Sequence, residues 1–213
     1  MLFFSLWPDG AGFSEYAAGW SRLWANPAVR EEILQVLEVA GSLVSHVPVR
    51  LSGSDSVPLW VHCRYTREEL LAAVGRARLG RPAVNDREGV RYSEEERADV
   101  FTFTLTKSER DYSPTTMYRD YAISPELIHW ESQSTTSELS PTGQRYIHHA
   151  EQGSRVLLFC RETNDSDFGA RPYFFLGPAS YVTHTGSRPM AVTWKLDHRM
   201  PADFYEVASV LAG

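Results

Sequence analysis

The sequence predicts an α+β fold in which N-terminal helices precede a strongly curved mixed or antiparallel sheet or a small β-barrel, and three observations lead there. Apolar residues recur at helical spacing between Trp20 and Val47. From Asp99 onward the period falls to two, as in Val100-Phe101-Thr102-Phe103-Thr104. Gly, Pro and Asp turns separate the short strand-like runs of that second half.

Taken in order, Leu23, Trp24, Ile33, Leu34, Leu37 and Val44 stand among Arg30, Glu31, Glu32 and Glu38, with Asn26-Pro27 as a helix start. Ser52-Gly53-Ser54-Asp55-Ser56 reads as a flexible connection, dividing a helical segment 1–51 from a barrel-like domain 57–213. Leu59 to Cys63 is strand-like, and Thr66 with Glu69 forms a capping-box pattern that opens a helix through Val74. Arg87 to Tyr92 reads as a tight turn, and Glu94-Glu95-Glu96 as a solvated edge. Val156 to Cys160, Tyr173 to Gly177 and Met190 to Leu196 supply further strands, and Asn164 to Gly169 a hairpin turn. Pro201 to Leu211 closes the chain with a turn and a short helix.

Composition narrows the function. At 213 residues with 43% hydrophobic and 23% charged side chains, the chain can bury a core and is not a disordered one. No run reaches the roughly 18 apolar residues of a membrane helix, and the opening Met1 to Asp9 lacks the basic flank and length of a signal peptide, so a cytoplasmic protein with no membrane partner is expected. Cys63 and Cys160 fit no metal-ligand spacing and are read as free thiols. A net charge of −6 excludes a general polyanion binder. A local basic surface stays open, because all but Lys107 and Lys195 of the 21 basic residues are arginine, the residue of planar bidentate contacts. GC-rich coding accounts for that bias equally well.

The stretch Lys107 to Thr136 mixes aromatic, hydroxyl, amide and charged groups with few aliphatics. A packing role would set Tyr118, Tyr121 and Trp130 on the sheet and use Asp120 and Ser132 as turn caps. Within it, Tyr118-Arg119-Asp120-Tyr121-Ala122-Ile123-Ser124-Pro125, followed by His129-Trp130-Glu131-Ser132-Gln133-Ser134, resembles an uncharacterised domain found after bacterial superfamily II helicase cores, often beside a phospholipase-D-type nuclease. The resemblance spans about Leu59 to Leu196 and implies a DNA-defence or restriction context, with helicase and nuclease domains as partners. The chain carries no Walker A motif, so it resembles the accessory domain alone. The strand-rich half is also similar in pattern to PUA-like barrels that sense modified bases.

No cofactor motif and no covalent catalytic set is read: Gly-x-Ser-x-Gly is missing, and Cys160 sits in an apolar run. His148 and His149, placed in a strand, would face opposite ways and could not share one ion. Glu162, Asp165 and Asp167 follow a strand, as carboxylates of a metal nuclease would, although a polar hairpin explains them more simply. The expected function is therefore non-catalytic recognition of modified or flipped bases in DNA, with a protein-interaction module as the alternative. Tyr112, Tyr118, Tyr121 and Trp130 would offer stacking faces, Asp120, Ser132 and Gln133 would read a base edge, and Lys107, Arg110 and Arg119 would hold the backbone.

Overall fold

The run Val156-Leu157-Leu158-Phe159-Cys160 is fully buried on both sides, so its sheet must be covered on both faces. A computed structural model describes residues 1–44, 46–53, 57–81, 89–105, 120–166 and 169–210. It opens with α1 (Leu2–Leu6), a 3-10 turn (Pro8–Gly12), α2 (Tyr16–Trp24) and α3 (Pro27–Ser42). Three short strands, β1 (Val49–Arg50), β2 (Trp60–Val61) and β3 (Arg64–Tyr65), lead to α4 (Arg67–Ala73). Then come β4 (Val90–Ser93), β5 (Ala98–Thr104), β6 (Tyr121–Ser124), β7 (Leu127–Glu131) and α5 (Pro141–Ile147). The chain ends with β8 (Arg155–Arg161), β9 (Asp165–Ser166), β10 (Gly169–Ala170), β11 (Tyr173–Thr185), β12 (Ala191–Leu196) and α6 (Ala202–Val210).

The fold is α+β, as the sequence predicts. The main sheet runs β4-β5-β8-β11-β12-β7-β6, with β3 added to the start of β11, and is mixed because β5 and β8 alone on that path are parallel. Among the described residues β4 and β6 end the order without pairing with each other, so the sheet is open and the closed-barrel form of the expectation is not what forms. Side chains alternate between two cores. Phe101, Leu158, Cys160, Phe174 and Trp194 face α5 and α6, where Phe204 stacks on Phe174 at 4.2 Å. Val100, Leu157, Phe159 and Phe175 face α4, which buries Leu70, Leu71 and Ala73. The capping box predicted for α4 is complete, Glu69 N–H donating to Thr66 Oγ1 and Thr66 N–H to the Glu69 carboxylate.

The N-terminal helices differ in how they are held. Phe3 and Phe4 of α1 are buried, Phe3 edge-on to Phe13, Tyr16 and Trp20, and Ser5 Oγ donates to Glu69 on α4. By contrast α3, which starts at Pro27 as expected, buries none of its residues. β1 pairs with β2 across the Ser52–Ser56 connection, of which residues 54–56 lie outside the described set.

Two local readings change, and one segment left without a reading gains a form. Val90 to Ser93 is a strand and not a turn, because β4 turns its polar Arg91 and Ser93 inward and so hides the usual alternation. His148 and His149 follow α5, where Ser140 caps a short helix that Pro141 begins. Tyr121 to Glu131 folds into the β6–β7 hairpin around Pro125-Glu126.

Candidate functional site

β4 pairs with β5 so that Tyr92 lies opposite Asp99 and Arg91 opposite Val100. Asp99 shares its parity with Phe101 and Phe103, so this carboxylate faces into the core, fully buried. A buried carboxylate demands a cation. Arg145, projecting from α5, meets it with a bidentate fork, Nε to Oδ2 at 2.7 Å and NH2 to Oδ1 at 2.8 Å. Burial pushes the Asp99 carboxyl above its ordinary range and outweighs the downward pull of the Arg145 hydrogen bonds, while Asp99 in turn holds Arg145 more firmly protonated. The guanidinium also lies 4.6 Å from the Tyr92 ring centroid, and Asp99 uses only two of its five N–H donors.

On the Arg145 side of this pair opens a cavity of about 350 Å³, within the span of small-ligand sites, roughly 300–1,000 Å³. Three arginines line it, Arg76 after α4, buried Arg91 on β4, and Arg145. Tyr92, Trp130 and Tyr146 give it aromatic walls, and Thr135, Thr136, Ser140 and Thr142 line it with hydroxyls. The loop carrying Gln133, Thr135 and Thr136 is tied down at both ends. Ser132 N–H donates to the Met190 carbonyl and Ser132 Oγ accepts from Met190 N–H, both at 2.9 Å, while the Thr136 carbonyl accepts from Arg188 N–H. At the entry to α5 the Ser140 hydroxyl accepts from Gly143 N–H and donates to the Ser137 carbonyl. Gly143 is required there, since a Cβ would run into that same carbonyl.

Of the residues that the sequence singles out, Trp130 and Gln133 come together on this cavity. Trp130 is 5% exposed and packs edge-on to Phe101 and Tyr146, so its ring is both wall and core. Ser132 is buried beneath the loop in the two bonds just given. Asp120 is 3% exposed, and its Oδ1 accepts from Glu131 N–H at 3.0 Å across the β6–β7 hairpin. Tyr121 stacks on His129 at 4.7 Å. Lys107, Arg110, Tyr112, Tyr118 and Arg119 lie outside the described residues. Sequence reasoning missed Arg76, Arg91, Tyr92 and Arg145. The available signal was Asp99 itself, a charge at an inward position of an apolar strand, which announces a buried cationic partner.

Other reactive groups are accounted for locally. Glu162 is held by Arg64 and lies 3.7 Å from Arg171; burial opposes its ionisation, but these guanidinium groups win and hold its carboxyl below the ordinary range. The Asp165 and Asp167 side chains lie outside the described set. His149 is buried, its Nε2 accepting from Tyr181 N–H and its Nδ1 facing the Ser154 carbonyl. Cys63 and Cys160 are free thiols, and burial pushes both upward, Cys160 far more. His62, in a left-handed backbone conformation (φ 68°), stacks on Phe174 between His46 and His198, each 6.5 Å away. Desolvation, with those two imidazoles, lowers its affinity for a proton. Among the described residues no three His, Cys, Asp or Glu side chains converge to hold a metal ion.

Residues 59–208 match the family described as a domain of unknown function (DUF3427). The chain belongs to that family. The DUF3427 region takes in both sheet faces, the 350 Å³ cavity and every residue named on it, and begins after α3. No curated protein matches the chain. Among the described residues no helix is long and apolar enough to cross a membrane.

Proposed function

We propose that the DUF3427 domain is a non-catalytic DNA-recognition module that takes an extruded, modified or otherwise distinctive base into the cavity between β4 and α5. One observation carries the reading: three guanidinium groups and three aromatic rings converge on a single cavity of nucleotide size. An extruded base has lost its stacking and pairing partners, and rings with fixed polar groups replace them. Gln133, exposed at the rim, suits edge reading, and Arg76 suits a flanking phosphate. With a net charge of −6, such focusing of positive charge at one cavity is what lets a polyanion approach. Placement beside a helicase or nuclease follows from the resemblance of the Tyr118–Ser134 string, and the PUA-like comparison belongs here as analogy of task.

The test is a binding panel of plain, cytosine-methylated, adenine-methylated, hydroxymethylated and phosphorothioate duplexes at one stated salt concentration. One of them binds at least tenfold tighter than plain DNA, Arg76→Gln weakens all of them together, and Gln133→Ala narrows the preference. Equal weak binding to all five would sink the proposal. A second reading, a protein-interaction arm, is favoured by α3, whose Leu34 and Leu37 are each 61% exposed. It predicts no DNA binding near physiological salt.

A further inference from the structure

A guanidinium group can be gripped along its side, through Nε and one terminal nitrogen, or at its end, through the two terminal nitrogens, and each edge offers a parallel pair of N–H donors. Asp99 takes the side edge of Arg145, through Nε and NH2. The end edge, NH1 with the second N–H of NH2, has no acceptor among the described residues. The side chain keeps 26% of its surface open and lines the cavity between β4 and α5. Its orientation is fixed from two sides, by a fully buried carboxylate and by the Tyr92 ring centroid 4.6 Å away. Ser140 and Pro141 set the start of α5, which carries Arg145 in its last turn.

Two parallel donors discriminate among bases. On its major-groove edge guanine shows adjacent acceptors at O6 and N7, whereas adenine places an amine beside N7, cytosine shows an amine, and thymine has one acceptor beside its methyl group. An amine set against a guanidinium N–H would oppose two donors and leave both without a partner. Asp99 already answers the charge of Arg145, so what remains at the end edge is directional, and a neutral pair of acceptors suffices for it. Arg76, which makes no side-chain hydrogen bond or ion pair among the described residues, suits the flanking phosphate. Resting on the reading of this cavity as a base pocket, we infer that the base it takes is a guanine, held at O6 and N7 by the end edge of Arg145. Arg145 then sets the specificity of the pocket, and Asp99 positions it.

The experiment measures binding of the full chain, by fluorescence anisotropy at one stated salt concentration, to labelled duplexes that carry a single unpaired guanine, adenine, cytosine or thymine. A fifth duplex carries an unpaired 7-deazaguanine, in which a C–H group replaces N7. An unpaired base is extruded at little cost, so the differences report the pocket. Guanine binds at least fivefold tighter than the other three, the low end of what a bidentate base contact supplies. The gain disappears with 7-deazaguanine and in Arg145→Lys, which keeps a cation beside Asp99 without the planar fork. Arg76→Gln lowers all affinities together and leaves the ratio. Because 7-deazaguanine alters the probe and not the protein, it decides the outcome even where Arg145→Lys fails to fold. Preference for another base overturns the inference, as does a guanine gain that 7-deazaguanine or folded Arg145→Lys leaves intact. Equal binding of all five overturns it too: where Arg76→Gln weakens that binding, the base assignment falls alone, and where it does not, the base-pocket reading falls with it.

Discussion

Asp99–Arg145 and Glu162–Arg64 are both bidentate carboxylate–guanidinium pairs, yet their carboxyls move in opposite directions. Asp99 is wholly buried and has a single guanidinium to itself, and desolvation wins. The Glu162 side chain keeps 14% of its surface in water and has two arginines near it, and attraction wins. The difference teaches that a buried pair is held together by the cost of separating it, whereas a rim pair is a local charge arrangement that water can replace.

The largest expected effect falls on the wall beside the buried pair. Trp130→Ala removes a ring packed on Phe101 and Tyr146 and should cost about 3–5 kcal/mol, read from denaturant unfolding. Affinity unchanged in the surviving folded fraction would then remove Trp130 as a stacking surface. Next comes Arg145→Met, which strands the Asp99 carboxylate and should cost about 3 kcal/mol at neutral pH. Because the folded Asp99 pKa is raised, the ionised form burdens the fold, so stability is regained as pH falls toward that raised value. The gap between Arg145→Met and the parent should shrink between pH 8 and pH 5. A constant gap would mean that Asp99 is not the stranded group.

His62 gives a smaller effect of opposite sign. Its folded pKa lies below the ordinary imidazole value, so its contribution is complete above about pH 6.5 and fades as pH falls through the lowered value. His62→Asn, which tolerates the left-handed backbone, should flatten the melting-temperature slope between pH 7 and pH 5. An unchanged slope would remove His62 as its source. The smallest change is Glu162→Gln, expected within about 1 kcal/mol because the pair is open to water. A loss as large as that of Arg145→Met would erase the contrast between the two pairs.

What the sequence made legible follows from period and punctuation. The Thr66–Glu69 box, the Asn26-Pro27 start and the Val156–Cys160 strand carry their physics within a few residues, and each forms as read. β4 escaped because Arg91 and Ser93 face inward, answering to Val74 and the cavity and not to their neighbours in sequence. Trp130 and Gln133 were visible as unusual groups in an unusual string. Their companions Arg76, Tyr92 and Arg145 come from three separate elements, and only the β4–β5 register and the seating of α5 bring them together. Such convergence is a property of topology, which no local pattern encodes.

The parallel pairing of β5 with β8 has a kinetic consequence. In that register Ala98 meets Arg155 and Thr104 meets Arg161, so the β6–β7 hairpin, the hydroxyl-rich loop and α5 all lie in the chain between the two partners. A contact of such high sequence separation requires a long loop to close before any of its hydrogen bonds form. Asp99 sits on one side of that closure and Arg145 just ahead of the other, so the salt bridge and the cavity around it assemble late. In refolding, helix signal should precede the fixed tryptophan environment of Trp130 and Trp194, and the cavity between β4 and α5 would be among the last parts of the molecule to exist.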